Sequence, residues 1–273
     1  MTTSKIKLFF FLCQLIFINI NAGEIKHSHL LINRINDSSN TVGHLDFLNL
    51  QETKATNIYS KQIGGTTDKD PGVGTYSRDG NVISYHWRYV EEGSTYDFSF
   101  DLIFGDYDEM QKYYSNMQHN VYGAYKKFVL NDPYKNTLKV VADALEQLAN
   151  KYDLSKTEVA LSFVQALPYD DLNHEIQRYS VETLIDCRGD CSDTSVLFAG
   201  LLWEMGYGFV FLHYPNHLAI GIYGRKDFLP EGTHYSYEGR DYYLCETTGT
   251  GNPIGFGLNQ HQHGDGTADI EEF

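Results

Sequence analysis

The run Val196-Leu197-Phe198-Ala199-Gly200-Leu201-Leu202 is apolar at every position, so a helix built from it has no side to give to water. Such a helix must lie at the centre of a fold, with other elements packed all round it. Its ends are legible as well. Asp190 precedes it as a cap, Asp193 falls in its first turn, and Gly206 stands where a helix C′ residue belongs. The spacing predicts a helix over 191–205, with Leu197, Leu201 and Met205 on one face and Phe198, Ala199 and Leu202 widening it. The first residue of that helix is Cys191. Free N–H groups and partial positive charge at a helix N-terminus favour thiolate over thiol. Thiolate is the nucleophilic form, so Cys191 reads first as a nucleophile and second as inert packing, the usual state of a buried cysteine. Asp190 and Asp193 read as support for the turn, although the Asp193 charge works against thiolate formation.

Two partners follow downstream. His217 opens the run His217-Leu218-Ala219-Ile220-Gly221-Ile222-Tyr223, and Glu246 closes Tyr242-Tyr243-Leu244-Cys245-Glu246. A thiol attacks, an imidazole carries the proton, and a carboxylate holds the imidazole's tautomer and its charged form. Ala219 and Gly221 share the face of the strand that begins at His217, and their small size leaves room for another group. His213 is the competing base. The Cys191 backbone N–H is the expected first donor to an oxyanion. Gln165, on the helix before, is the candidate second donor; its plainer role is a hydrogen bond to backbone.

Arg188-Gly189-Asp190-Cys191-Ser192-Asp193, Pro215-Asn216-His217-Leu218-Ala219 and Tyr243-Leu244-Cys245-Glu246-Thr247-Thr248 resemble the motifs of the transglutaminase-like superfamily, most closely those of its bacterial and archaeal cysteine peptidase branch. Phe163-Val164-Gln165-Ala166-Leu167-Pro168-Tyr169 and Glu182-Thr183-Leu184 are similar to segments that precede the cysteine there. The resemblance covers about the C-terminal half. It implies an α+β fold with a papain-like or transglutaminase-like core, in which a central nucleophile helix packs on an antiparallel sheet. It also implies acyl transfer through a thioester on amide carbonyls of protein or peptide substrates, with no cofactor. Water as acceptor makes a peptidase or amidase, and a substrate amine makes a transglutaminase. The family's third residue is usually aspartate, and Glu246 is a departure.

Composition narrows the partners. The 273 residues are 42% hydrophobic and 21% charged, which suits a globular chain with one sizeable core or two smaller ones. A formal charge of −15 repels phosphate backbones and anionic lipid, so neither nucleic acid nor a membrane surface is expected as a partner. Lys5 and Lys7, the apolar stretch Leu8 to Ile20 and the small Ala22 before Gly23 read as a secretory signal peptide over 1–22. The expected location is secreted, periplasmic or cell envelope, with no membrane span in the mature chain. Asn36-Asp37-Ser38 is a glycosylation pattern of use only in a eukaryotic secretory route. Beyond Cys13, three cysteines remain: Cys187, Cys191 and Cys245. A Cys187–Cys245 disulfide would leave Cys191 reactive.

Along the chain, 23–105 reads as a β-rich N-terminal region and 106–273 as the catalytic domain. Strands are expected over 29–35 and 41–50, a loop over 64–74, and a hairpin from 82–90 and 95–104. In the second arm Tyr96, Phe98, Phe100 and Leu102 share a dry face. Helices are expected over 106–128 and 137–152. Another begins at Ser155, where Glu158 completes a capping box, and ends at Pro168. Strands over 207–213, 217–223 and 241–246 follow.

Two other functions compete. Cys187, Cys191, His217 and Cys245 could form a structural zinc site, although its ligand spacing is loose. A secreted binding module could retain the fold without turnover. The tail His261-Gln262-His263-Gly264-Asp265-Gly266 lacks the acidic spacing of a calcium loop and reads as a flexible polar terminus.

Overall fold

A computed structural model describes residues 53–65, 74–116, 124–170, 177–224, 231–257 and 267–273. The signal segment, the strands expected over 29–35 and 41–50, Asn36, most of the 64–74 loop and the 261–266 tail lie outside the described residues.

The fold mixes helix and sheet. Four strands come first: β1 (Lys54–Gly65), β2 (Thr75–Asp79), β3 (Val82–Glu91) and β4 (Ser94–Ile103). They form an antiparallel sheet in the order β1-β4-β3-β2. The expected hairpin is β3–β4, and Tyr96, Phe98, Phe100 and Leu102 are buried as their alternation requires. Strands β1 and β2 carry no clean alternation, and every residue of β2 is exposed. A strand that packs one side weakly leaves little pattern in its sequence.

Six helices follow among the described residues: α1 (Tyr107–Asn116), α2 (Lys126–Leu130), α3 (Asn136–Lys151), α4 (Lys156–Gln165), α5 (Ser180–Asp186) and α6 (Cys191–Met205). The single helix expected over 106–128 is two separate helices. Ala124 has φ +53°, a left-handed backbone that an α-helix cannot run through. Ser155 caps α4, its hydroxyl accepting from the Glu158 N–H at 3.3 Å, but the capping box is only half made: Glu158 Oε1 accepts from the Ile254 N–H at 2.9 Å instead.

A second antiparallel sheet completes the fold: β5 (Phe209–Tyr214), β6 (His217–Tyr223), β7 (His234–Tyr237), β8 (Arg240–Cys245) and β9 (Asp269–Glu272), in the order β7-β8-β6-β5-β9. The last strand was not among the expected elements. It pairs Ile270 with Leu212 and Glu272 with Val210.

Helix α6 lies in the middle, as its composition demands. It packs against α3, α4, α5 and α2 on its helical sides and against β6 on the sheet side. Every residue from Asp193 to Leu202 is buried. The first sheet closes the far side of α4 through aromatic rings. Trp87 and Phe163 meet edge-on at 5.2 Å, and the Trp87 indole N–H donates to Ser162 Oγ at 3.1 Å. Two tyrosines, one on β3 and one opening α1, finish α5. Tyr85 and Tyr107 donate their hydroxyls to the carbonyls of Leu184 and Ile185 at 2.9 and 3.1 Å, where a helix end leaves acceptors over.

Leu201 is fully buried in α6. Leu201→Ala should cost about 2–5 kcal/mol of stability, because a core this enclosed cannot collapse around the lost volume. Chemical denaturation measures it, and a loss below ~1 kcal/mol would contradict the central position of α6.

Candidate active site

The site assembles where the polar start of α6 meets the sheet. Asp190 is the N-cap, with Oδ1 accepting the backbone N–H groups of Ser192 and Asp193 at 2.8 and 3.0 Å. These are two of the donors a helix start leaves unmatched. The Cys191 N–H meets no acceptor among the described residues, so it is available to a ligand. The cysteine itself is half-buried.

His217 begins β6 after the two-residue Pro215-Asn216 turn, opposite Tyr214. Strand β8 pairs Cys245 with Ile220. One step further along that register Glu246 stands diagonal to His217, across the small Ala219, within reach of a long side chain. His217 Nε2 and Glu246 Oε2 are 2.8 Å apart. The Cys191 thiol is near enough to the imidazole to help raise its pKa, and with Nε2 held by the carboxylate, Nδ1 is the ring nitrogen left for sulfur. The structure therefore joins His217 and Glu246 directly and brings Cys191 close to the ring.

Burial lowers the His217 pKa, but the hydrogen bonds to Cys191 and Glu246 and the charge of Glu246 outweigh it and lift it to about 9. The other two thiols differ. Both are free and buried. Burial pushes Cys187 up to about 12 and Cys245 well above the ordinary thiol range. No disulfide joins them. Among the described residues no three His, Cys, Asp or Glu side chains gather as a metal would need, so Cys187, Cys191, His217 and Cys245 do not form the zinc set considered from the sequence. His213 is engaged elsewhere, with Nε2 3.0 Å from Glu271 of β9.

Gln165 departs from its expected oxyanion role. Its Nε2 donates to the carbonyls of Glu246 and Asn252, both at 2.7 Å, and its Oε1 accepts from the Gly251 N–H at 3.2 Å. With both amide hydrogens on backbone carbonyls, it clamps the loop after β8 onto α4 and has no N–H to give an oxyanion. The plainer role, backbone bonding, is the one observed.

Other residues emerge only in three dimensions. Glu246 Oε1 takes the N–H and hydroxyl of Thr248 at 2.8 and 2.6 Å, which turns Oε2 toward His217. The buried hydroxyls of Thr194 and Ser195 on α6 lie 2.9 and 3.1 Å from that of Thr247, and Ser195 donates to the Leu218 carbonyl at 3.0 Å. This cluster ties the cysteine-bearing helix to the neighbours of both His217 and Glu246. Asp193 is held by Arg178, whose Nη1 sits 2.5 Å from Oδ2 and whose backbone N–H reaches Oδ1 at 2.9 Å. The same guanidinium meets Asp170 at 2.7 Å and Asp186 at 3.0 Å. No sequence spacing announces Arg178; a lone arginine before a short helix carries no pattern.

Gly189 is needed for space. A Cβ there would lie 2.7 Å from Asp193 Cβ and 3.2 Å from Thr183 Cγ2. Gly189→Ala should therefore destabilise by about 1–3 kcal/mol in thermal or chemical denaturation, and an unchanged midpoint would refute the close approach. Glu246→Gln should lower the His217 pKa from about 9, since burial then acts with less opposition. A histidine NMR titration reads it, and a value still near 9 would assign the lift to another cause. The sign carries to stability. A folded-state value above the unfolded one means the pairing contributes fully below about pH 6.5 and fades as pH rises through about 9.

Comparison with known proteins adds little. No family model matches the sequence, and no curated protein matches it. A solved structure described as "a Putative Cysteine Protease from Cytophaga hutchinsonii" is similar over 81% of this chain and 89% of that one, at 10% identity and a TM-score of 0.32. An overlap that loose carries no argument, and the chemistry is read from the side chains above.

Proposed function

We propose that this chain is a thiol-dependent acyl transferase on amide bonds, working through a Cys191–His217–Glu246 triad, and that its acceptor is water, which makes it a cysteine peptidase or amidase. The observation that supports the reading is the 2.8 Å contact of His217 Nε2 with Glu246 Oε2, with a thiol at a helix start near enough to help raise the imidazole's pKa. The reading takes the central helix and the second sheet as a papain-like or transglutaminase-like core, the arrangement the sequence motifs resemble.

The steps follow from the roles. Sulfur of Cys191, paired with the protonated His217, attacks the amide carbonyl carbon. The C–O π electrons move to oxygen, and the Cys191 N–H supports that charge. His217 gives its proton to the amide nitrogen, the C–N bond breaks, and the amine leaves a thioester on Cys191. Water then attacks the thioester while His217 takes its proton. The C–S bond breaks, the acid departs, and thiolate and imidazolium are restored. Glu246 stays ionised and keeps the ring turned and its charge compensated. An amine in place of water would give a new amide by the same steps.

Protein or peptide amides are the proposed substrates. The proposed location is outside the cytoplasm, in the envelope or secreted, on the strength of the signal-like residues 1–22.

Cys191→Ala should abolish turnover of an amide substrate while leaving the melting temperature within a few degrees of wild type. A thiol-directed acyl probe at neutral pH should label Cys191 and neither Cys187 nor Cys245, as peptide mapping would read. Retained turnover in the variant, or a Cys191 no more reactive than a free peptide thiol, would sink the triad and favour a binding module. Supplying a primary amine separates the acceptors: a new amide product in place of acid would make the chain a transglutaminase.

A further inference from the structure

Arg178 lies just before α5, is almost fully buried, and faces three carboxylates from three parts of the chain. Asp170 follows the short bridge between Tyr169 and Gly189, Asp186 ends α5, and Asp193 sits in the first turn of α6. Arg188 is the other cation on this group, with Nε 3.5 Å from Asp170. Asp190 is the neighbouring anion, and its backbone N–H donates to Asp193 Oδ2 at 3.3 Å. Around Cys191 itself the charged groups are His217 and, behind it, Glu246.

Two acids therefore flank the nucleophile at a helix start. Carboxylates there satisfy the macrodipole and the open N–H groups, and in doing so they cancel the positive field that favours a thiolate. Asp190 is the cap and cannot be spared. Asp193 holds the turn through Arg178, Gln177 and Asp190, with Gln177 Nε2 at 3.2 Å from Oδ1. Burial, and then the Asp190 charge, push its carboxyl up to about 6 against the pull of Arg178, which leaves it ionised at neutral pH. Without the guanidinium the carboxyl would titrate higher still, and wherever it ionised it would place an uncompensated negative charge two residues from the sulfur.

We infer that Arg178 is a positioning residue for catalysis: by neutralising Asp193 it allows one carboxylate to order the cysteine turn without suppressing the nucleophile at its tip. This rests on the proposed role of Cys191. The guanidinium suits the task because its fork meets Asp193 and Asp170 on separate nitrogens and stays charged when buried. Burial opposes that charge, and Asp193 first, then Asp170 and Asp186, restore it, so its pKa ends raised.

The test is alkylation of Cys191 by iodoacetamide from pH 5 to 9, followed by peptide mapping and corrected for the folded fraction. Arg178→Gln should displace the pH–rate curve upward and slow the reaction about tenfold at pH 8, on the alkaline side where Asp193 ionises without its guanidinium. Arg178→Gln/Asp193→Asn should recover to within about threefold of wild type, because the offending charge is gone. Should Arg178→Gln not fold, Asp193→Asn alone decides: with one carboxylate removed from the helix start, alkylation should be faster near pH 6. A wild-type-like curve in Arg178→Gln, equal slowing in single and double variants, or an Asp193→Asn protein no faster than wild type would overturn the inference. If Cys191 of the wild type reacts no faster than a free peptide thiol, the triad reading itself fails, a result distinct from the others.

Discussion

A helix start leaves backbone N–H groups without partners, and in this fold the start of α6 is where they must be answered inside the protein. A large share of the buried polar groups gathers there. Asp190 takes two of the N–H groups, Asp193 binds back to the Asp190 N–H, and the hydroxyls of Thr194 and Ser195 run on to Thr247 and Leu218. The remaining donor, on Cys191, meets no acceptor among the described residues. An apolar helix forced to the centre by its own composition thus delivers its open end to the start of β6, where His217 and Glu246 meet.

The three cysteines show how position decides chemistry. Cys187 caps α5 with a left-handed backbone at φ +54° and turns its sulfur to the Leu184 carbonyl at 3.3 Å. Cys245 lies wholly buried in β8. Both are walled in by apolar side chains and burial keeps them as thiols. Cys191, four residues beyond Cys187, meets an imidazole and the solvent edge instead.

What could be read beforehand divides along range. Cys191, His217 and Glu246 were legible because each sits at the border of a strongly patterned element, the helix 191–205 or the strands ending in Cys245 and beginning at His217. The β3–β4 hairpin, α3 and α4 were legible for the same reason. The break between α1 and α2 was missed because a left-handed Ala124 leaves no mark in composition. Strands β1, β2, β7 and β9 were missed because edge strands and half-exposed ones need little alternation. Arg178 and the true use of Gln165 depend on contacts across many residues of chain, such as Gln165 with Asn252. A side-chain amide has the same formula whether it meets an oxyanion or a loop carbonyl, and only the fold says which.

The terminal strand β9 has a bearing on how the molecule is handled. It covers the outer edge of β5, whose other edge pairs with the strand that begins at His217. Phe273, just beyond it, lies 4.4 Å from Phe209 and 5.0 Å from Trp203. Nicking by a protease ahead of residue 267 would strip that edge bare and leave an apolar strand open to pairing with other chains. Aggregation of clipped material would then remove the proposed activity although Cys191, His217 and Glu246 were still present.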